Sequence, residues 1–263
     1  MEFYLKSQKS KKGQLSDSAE GSDFAQNSDS AEGSDFTQNS AVDDFIISNK
    51  INNIFITGAK GRGKTTVLKK VTAASELNPG GFVTFRINSL NSKPLLFRLE
   101  PAEKLQKGIE LSKKVEPCSK AVSSSQNLEG GRIKAEAQNK NIYNLEDYLK
   151  EESVFAYRNS PAESFKISSS VFDNYGVELL SSKENIILMD ELGRFELKSQ
   201  KFKQKVFSLT GSEKKILGVI KDEKNSFLDM LRQKADTAVF RVDLENRDLV
   251  TDYIIKLFKK HYT

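Results

Sequence analysis

Cysteine and histidine are nearly missing from this chain: Cys118 and His261 are the single examples in 263 residues, and tryptophan is absent. One thiol can form neither an intrachain disulfide nor a cysteine-cluster metal site. Such sparse cysteine usage fits a reducing, cytoplasmic setting. One histidine excludes the triads and metal centres that need several. No apolar run approaches the roughly 20 residues of a membrane-spanning helix. The lysines of the opening MEFYLKSQKSKKGQ are not followed by the apolar stretch of a secretory signal, so neither a membrane nor export is expected. Positive charge is in modest excess, +5 net, which suits a solvated basic surface better than a nucleic-acid footprint. What is present is a 37% hydrophobic fraction beneath a 29% charged one, enough for the core of one medium α/β domain with extensions.

Residues 1–43 do not read as part of that core. SDSAEGSDFAQN (Ser16 to Asn27) is followed directly by SDSAEGSDFTQN (Ser28 to Asn39), differing only at Ala25 against Thr37. Units so rich in Ser, Asp, Gly and Asn bury too little apolar area to order themselves. We read a tandem duplication in a disordered tail, with Phe24 and Phe36 as the anchors of any docking segment. The domain is expected over 44–263. It contains a loosely structured insertion at about 101–151, where KKVEPCSKAVSSSQNLEGG is polar and loop-like. The tail and the insertion are the candidate surfaces for a protein partner.

Within the domain, strand and helix signals alternate. NIFIT (Asn53 to Thr57) is a β-branched apolar run, and the stretch from Thr65 to Ser75 is free of glycine and proline, hence helical. Gly81 to Ile87 and Pro94 to Glu100 read as a hairpin turning at Asn88 to Lys93, and Ser153 to Tyr157 as a strand rejoining the sheet. Ser168 to Ser182 has helical spacing, with Ser168 as cap and Gly176 as a weak point. Strands follow at 185–190, 215–220 and 238–242, and helices at 199–209, 226–234 and 247–260. This alternation predicts a mostly parallel sheet with helices on both faces.

Two motifs carry chemistry. GAKGRGKT (Gly58, Ala59, Lys60, Gly61, Arg62, Gly63, Lys64 and Thr65, with Thr66 next) matches G-x-x-x-x-G-K-[ST] between a strand and a helix. The glycines let successive N–H groups face one point, where the helix dipole also favours phosphate. Lys64 is spaced to reach the β- and γ-phosphates of a nucleoside triphosphate, and the Thr65 hydroxyl to ligate Mg²⁺. NIILMDELG (Asn185 to Gly193) has the Walker B form, a buried strand that ends in carboxylates at the ligand-binding end of a parallel sheet. Asp190 is placed to hold Mg²⁺ with Thr65, and Glu191 to orient or deprotonate an attacking water. Arginines that could stabilise a transition state are Arg247, in ENRD after the last strand, and Arg194, after the Walker B glycine. There is no N-K-x-D guanine-reading segment, no L-S-G-G-Q segment, and no Rossmann glycine pattern, since position 66 is Thr66.

These pieces resemble the THEP-type, or cancer-related, nucleoside-triphosphatase family. The likeness runs from NIFITGAKGRGKTT through GFVTF and FDNYGVELL to ILMDELGRFELKSQKF, ILGVIKDEKNSF and AVFRVDLENRD, across roughly Ile54 to Asp248. It implies a P-loop fold of the additional-strand type with a catalytic glutamate. It further implies slow hydrolysis of ATP, GTP and other nucleotides, with Lys64, Thr65, Asp190 and Glu191 on the nucleotide and Mg²⁺ positions and Arg247 in the ENRD element. The chain departs from the family at Leu192, commonly isoleucine, and at Glu163-Ser164-Phe165, commonly Gly-Lys-Tyr. The expectation is therefore a divergent, Mg²⁺-dependent nucleoside-triphosphatase. The alternatives are an acceptor-dependent phosphotransferase or a nucleotide-binding switch with little turnover.

Overall fold

Ile54, Phe55 and Ile56 follow one another along one strand, and all three are fully buried. Successive side chains of a strand point to opposite faces, so this strand must be covered from both sides. The computed structural model describes residues 50–89, 94–107, 112–115 and 148–261. The N-terminal repeat with Phe24 and Phe36, Cys118 and most of the expected insertion lie outside the described residues.

The strands are β1 (Asn53–Thr57), β2 (Gly80–Ser89), β3 (Pro94–Pro101), β4 (Ser112–Val115), β5 (Val154–Tyr157), β6 (Lys166–Ile167), β7 (Ile186–Leu192), β8 (Lys215–Ile220) and β9 (Thr237–Arg241). Among the described residues they form one sheet in the order β6-β5-β3-β2-β7-β8-β1-β9, with β4 also paired to β2. The pairs β1–β8, β1–β9, β2–β7, β2–β4 and β7–β8 are parallel. The β2–β3 hairpin and the β3–β5 and β5–β6 pairs are antiparallel. The sheet is thus mostly parallel, as the alternation predicts, with an antiparallel wing at one edge.

The helices are α1 (Lys64–Ala74), α2 (Glu103–Gln106), α3 over residues 169–180, α4 (Gln200–Leu209), α5 (Ser226–Arg232) and α6 (Arg247–His261). Alternation along the strands sorts the core by face. Ile54, Ile56, Leu217 and Val219 pack with residues of α1 and α6 in a mainly aliphatic layer. Phe55, Phe82, Ile187 and Met189 pack with α3, α4 and α5 in a layer rich in phenylalanine. Phe82, Phe172 and Phe202 meet there edge to face, at centroid distances of 5.6 and 5.3 Å.

Three local readings need correction. Ser168 stands before α3, but its hydroxyl makes no capping bond and pairs with the Ser170 hydroxyl at 2.8 Å. Gly176 closes a π-helical stretch, Phe172–Gly176, inside α3. A Cβ at Gly176 would lie 3.0 Å from the Phe202 ring, so the glycine permits close approach to α4. The insertion begins later than position 101. Ala102 and Leu105, three residues apart on the α2 turn, are buried in the aliphatic layer, and β4 extends the sheet. At its far side, Arg98 of β3 lies 4.5 Å over Phe85 and pairs with Glu100 and Glu151, tying the 148–151 segment to the sheet.

Candidate nucleotide site

The loop after β1 holds its shape through contacts made by backbone. Gly58 has φ +137°, and a Cβ there would fall 2.2 Å from the Val242 carbonyl oxygen, beyond the end of β9. Gly63 has φ +89° and caps α1 without a side chain, and a Cβ would fall 2.7 Å from Cδ of Arg247. Both positions combine a left-handed backbone with a neighbour at contact, so only glycine fits them. The loop is thereby wedged between its own helix and the first turn of α6. An ion pair of 2.9 Å between Lys70 of α1 and Asp248 of α6 joins the two helices on their exposed side.

Lys64 folds back over this loop. Its Nζ donates to the Gly58 carbonyl at 2.8 Å and the Ala59 carbonyl at 3.0 Å. Half-burial lowers its pKa, against which the Glu191 and Asp190 carboxylates favour the charged form. The next residue faces β7: the Thr65 hydroxyl donates to Asp190 Oδ1 at 3.5 Å.

β7 delivers its carboxylates as a buried parallel strand should. Ile186 to Met189 are buried, and Asp190 is 3% exposed. Burial, and then the neighbouring Glu191 charge, raise the Asp190 carboxyl to about 6. Thr65 and Asp190 offer a hydroxyl and a carboxylate on facing elements. This hard-oxygen pair fits Mg²⁺, which commonly takes one or two carboxylates and completes its shell with phosphate and water. No cluster of three or more potential Cys, His, Asp or Glu ligands occurs among the described residues.

Glu191 stands at the cavity wall between two cations that sequence reasoning missed. Arg86 Nη2 lies 3.7 Å from Glu191 Oε2, and Lys221 Nζ lies 3.6 Å from Oε1. The available signal was position. Arg86 is in the C-terminal half of β2, three residues past Val83, which pairs with Asp190. Lys221 immediately follows β8. Parallel sheets place ligands at such strand ends. The turn after β7 sets the clamp. Gly193 has no side chain, and Lys221 lies across it, 2.7 Å from where a Cβ would stand. Gly193 N–H donates to Glu196 Oε2 at 2.9 Å. Glu196, also unanticipated, is 3% exposed. Burial pushes its carboxyl up to about 7, against the two backbone N–H groups that favour its charge.

Lys64, Thr65, Arg86, Glu191, Glu196 and Lys221 border one cavity of about 860 Å³, and the buried Asp190 is not in its lining. Gly58, Ala59, Lys60, Gly61, Gly63, Lys64, Thr65 and Thr66 form one end of it, with Glu191 and Lys221 beyond. Arg62 is exposed outside that lining. Arg194 reaches the lining, exposed, with its guanidinium 5.4 Å over the Phe195 ring. Arg247 is packed against Gly63 and bonds Asp248 at 3.4 Å, and it is not part of the lining.

A glycine loop opening a helix, a facing Thr–Asp pair and one strand, β8, between the loop strand and the acidic strand define a P-loop NTPase fold of the additional-strand arrangement. The sequence model of the NTPase family matches residues 136–255. Nucleoside-triphosphatase THEP1 of Thermotoga petrophila is 27% identical over 209 residues, covering 78% of this chain and 92% of that protein. Its counterpart in Thermotoga maritima is 26% identical over 213 residues, covering 78% and 95%. The crystal structure of THEP1 from Aquifex aeolicus superposes with a TM-score of 0.49 at 18% identity, over 78% of this chain and 98% of that one. On the sequence matches, this chain is similar to the nucleoside-triphosphatases of the THEP1 type.

Proposed function

We propose that the protein hydrolyses nucleoside 5′-triphosphates to the diphosphate and phosphate, with Mg²⁺, slowly and with little preference for the base. The observation that carries this reading is the meeting of Lys64, Thr65 and Glu191 at one cavity, with the buried Asp190 carboxylate 3.5 Å from the Thr65 hydroxyl. Lys64 would exchange its two loop carbonyls for the β- and γ-phosphate oxygens. Thr65 and Asp190 would hold Mg²⁺, which supplies charge neutralisation to the phosphates. Glu191, flanked by Arg86 and Lys221, would orient the attacking water and receive its proton. Asp-Glu at a strand end suits water activation better than acceptor binding, which favours hydrolase over phosphotransferase. Broad base acceptance accords with the absence of N-K-x-D. None of the described helices is long and apolar enough to cross a membrane.

The test is phosphate release from the purified full chain with ATP, GTP, CTP or UTP, with and without Mg²⁺. We expect slow release on all four substrates, lost when Mg²⁺ is chelated. Lys64→Ala and Glu191→Gln should each lower the rate by about 10²–10³-fold. Glu191→Gln should leave triphosphate affinity within about threefold. Unchanged turnover in Glu191→Gln would remove the role given to that carboxylate.

A further inference from the structure

The cavity continues past Glu191 into a region the hydrolytic reading does not use. Its wall there is Phe97 of β3, Phe155 of β5, Phe165 before β6 and Phe195 in the turn after β7. The rings touch in several directions: Phe97 lies 5.3 Å from Phe165 and 5.6 Å from Phe195, and Phe165 lies 5.9 Å from Phe195. Phe155 and Phe195 are buried, whereas Phe97 and Phe165 are only half-buried and present ring surface to the cavity. Cations surround the rings. The Arg86 guanidinium is 5.9 Å from the Phe97 centroid, that of Arg158 is 4.6 Å from Phe165, and that of Arg194 is 5.4 Å from Phe195.

Arg158 is held by the carbonyls of Pro94, Pro161 and Glu163 and lines an adjoining pocket that shares Phe165, Arg194 and Phe195 with the cavity. Three backbone bonds hold the Arg158 fork in place over its ring. Attack by water alone makes no use of an aromatic wall rimmed by guanidinium groups. Partly open rings offer stacking to a planar base, and guanidinium forks favour phosphate.

We propose that this aromatic end is a second ligand site, for a nucleoside monophosphate, filled while a triphosphate occupies the P-loop. The base stacks on Phe97 and Phe165, and the phosphate pairs with Arg194, which lines the cavity. The inference rests on the reading above in one respect: Glu191 faces the terminal phosphate, so rings beyond it lie on the far side from the triphosphate's own nucleoside. One cavity of about 860 Å³ takes in both the glycine loop and the rings.

The test uses the full chain saturated with Mg²⁺ and a non-hydrolysable β,γ-imido triphosphate, titrated calorimetrically with AMP, GMP, CMP and UMP. The matched nucleosides and inorganic phosphate are the controls. We expect at least one monophosphate to bind the loaded protein, and its nucleoside and free phosphate to bind at least about tenfold more weakly. Phe165→Ala should weaken monophosphate binding by about tenfold or more and leave the analogue's affinity unchanged. Arg194→Ala should weaken the monophosphate but not the nucleoside. Failure of all four monophosphates to bind the loaded protein would overturn the proposal, as would their displacement by the analogue. An equal loss of analogue affinity in Phe165→Ala would also overturn it, because the rings would then hold the triphosphate's own base. Phosphate release without monophosphate binding sinks this proposal only; monophosphate binding without release sinks the hydrolase reading only.

Discussion

The two ends of the cavity are built on opposite principles. The phosphate end is made of backbone. Gly58 and Gly63 fit because they have no side chain, and the loop's neighbours are the Val242 carbonyl and the Arg247 stem. The aromatic end is made of side chains from four separate segments, and no local backbone feature marks it. A loop of glycines is tuned by conformation and is sensitive to a single added methyl group. A ring cluster is tuned by volume and is sensitive to a single lost ring. The same cavity should therefore fail in two different ways.

The largest expected effect is at the aromatic end. Phe155 is 2% exposed and lies 4.8 Å from Phe172, 5.7 Å from Phe195 and 6.0 Å from Phe97. Phe155→Ala should cost about 3–5 kcal/mol of unfolding free energy, measured by denaturant titration. Its folded fraction should keep triphosphate affinity within about threefold; a greater loss would join the two ends into one unit.

The next effect lies between them, at Glu196. Its carboxyl keeps its proton in the folded chain up to about pH 7 and releases it near 4.5 when unfolded. The folded state therefore binds more protons across that window, and stability falls as pH rises through it, by at most about 3 kcal/mol. Lys221 and Glu191 face this group with opposite signs. Asp190, raised to about 6, slopes the same way. Glu196→Gln keeps an acceptor for the Gly193 N–H and removes only its own share. The variant's Tm should rise relative to the parent as pH goes from 4.5 to 7; parallel curves would leave Glu196 with no titration in this range.

The smallest effect on stability is at the phosphate end. Gly63→Ala forces a left-handed alanine against Arg247 and should cost about 1–2 kcal/mol. Triphosphate affinity should fall far more than stability, by about tenfold or more, since the N–H groups that would cradle phosphate are displaced. If affinity survives, the loop is less dependent on its backbone geometry than the comparison holds.

The contrast also explains how much could be read in advance. The P-loop was legible because its instructions lie within eight consecutive positions and state a conformation. Asp190 and Glu191 were legible because an apolar strand runs straight into them. Strand–helix alternation foretold the parallel sheet and both helical layers. It could not order the strands, because the position of β8 between β1 and β7 follows from crossovers, not from local pattern. Phe97, Phe155, Phe165 and Phe195 each look like ordinary core residues, and periodicity does not reveal which rings stop short of full burial. Arg86 and Lys221 were obscured in the same way: each is a common strand-end cation until the register of β2 against β7 sets it beside Glu191. The start of the insertion was misjudged because Ala102 and Leu105 make too short an apolar pattern to distinguish from loop.

The wedge that holds the glycine loop has a consequence for how the protein is made. The loop lies near the start of the domain, yet Thr57 accepts from Val242 N–H at 2.9 Å, and Gly58 and Gly63 rest on Val242 and Arg247. During synthesis those supports emerge long after the loop. The ribosome-bound chain carries the complete glycine loop before the walls that shape it are made. A nascent chain arrested before α6 should therefore emerge with its loop unset, and any nucleotide binding there should follow the docking of that helix.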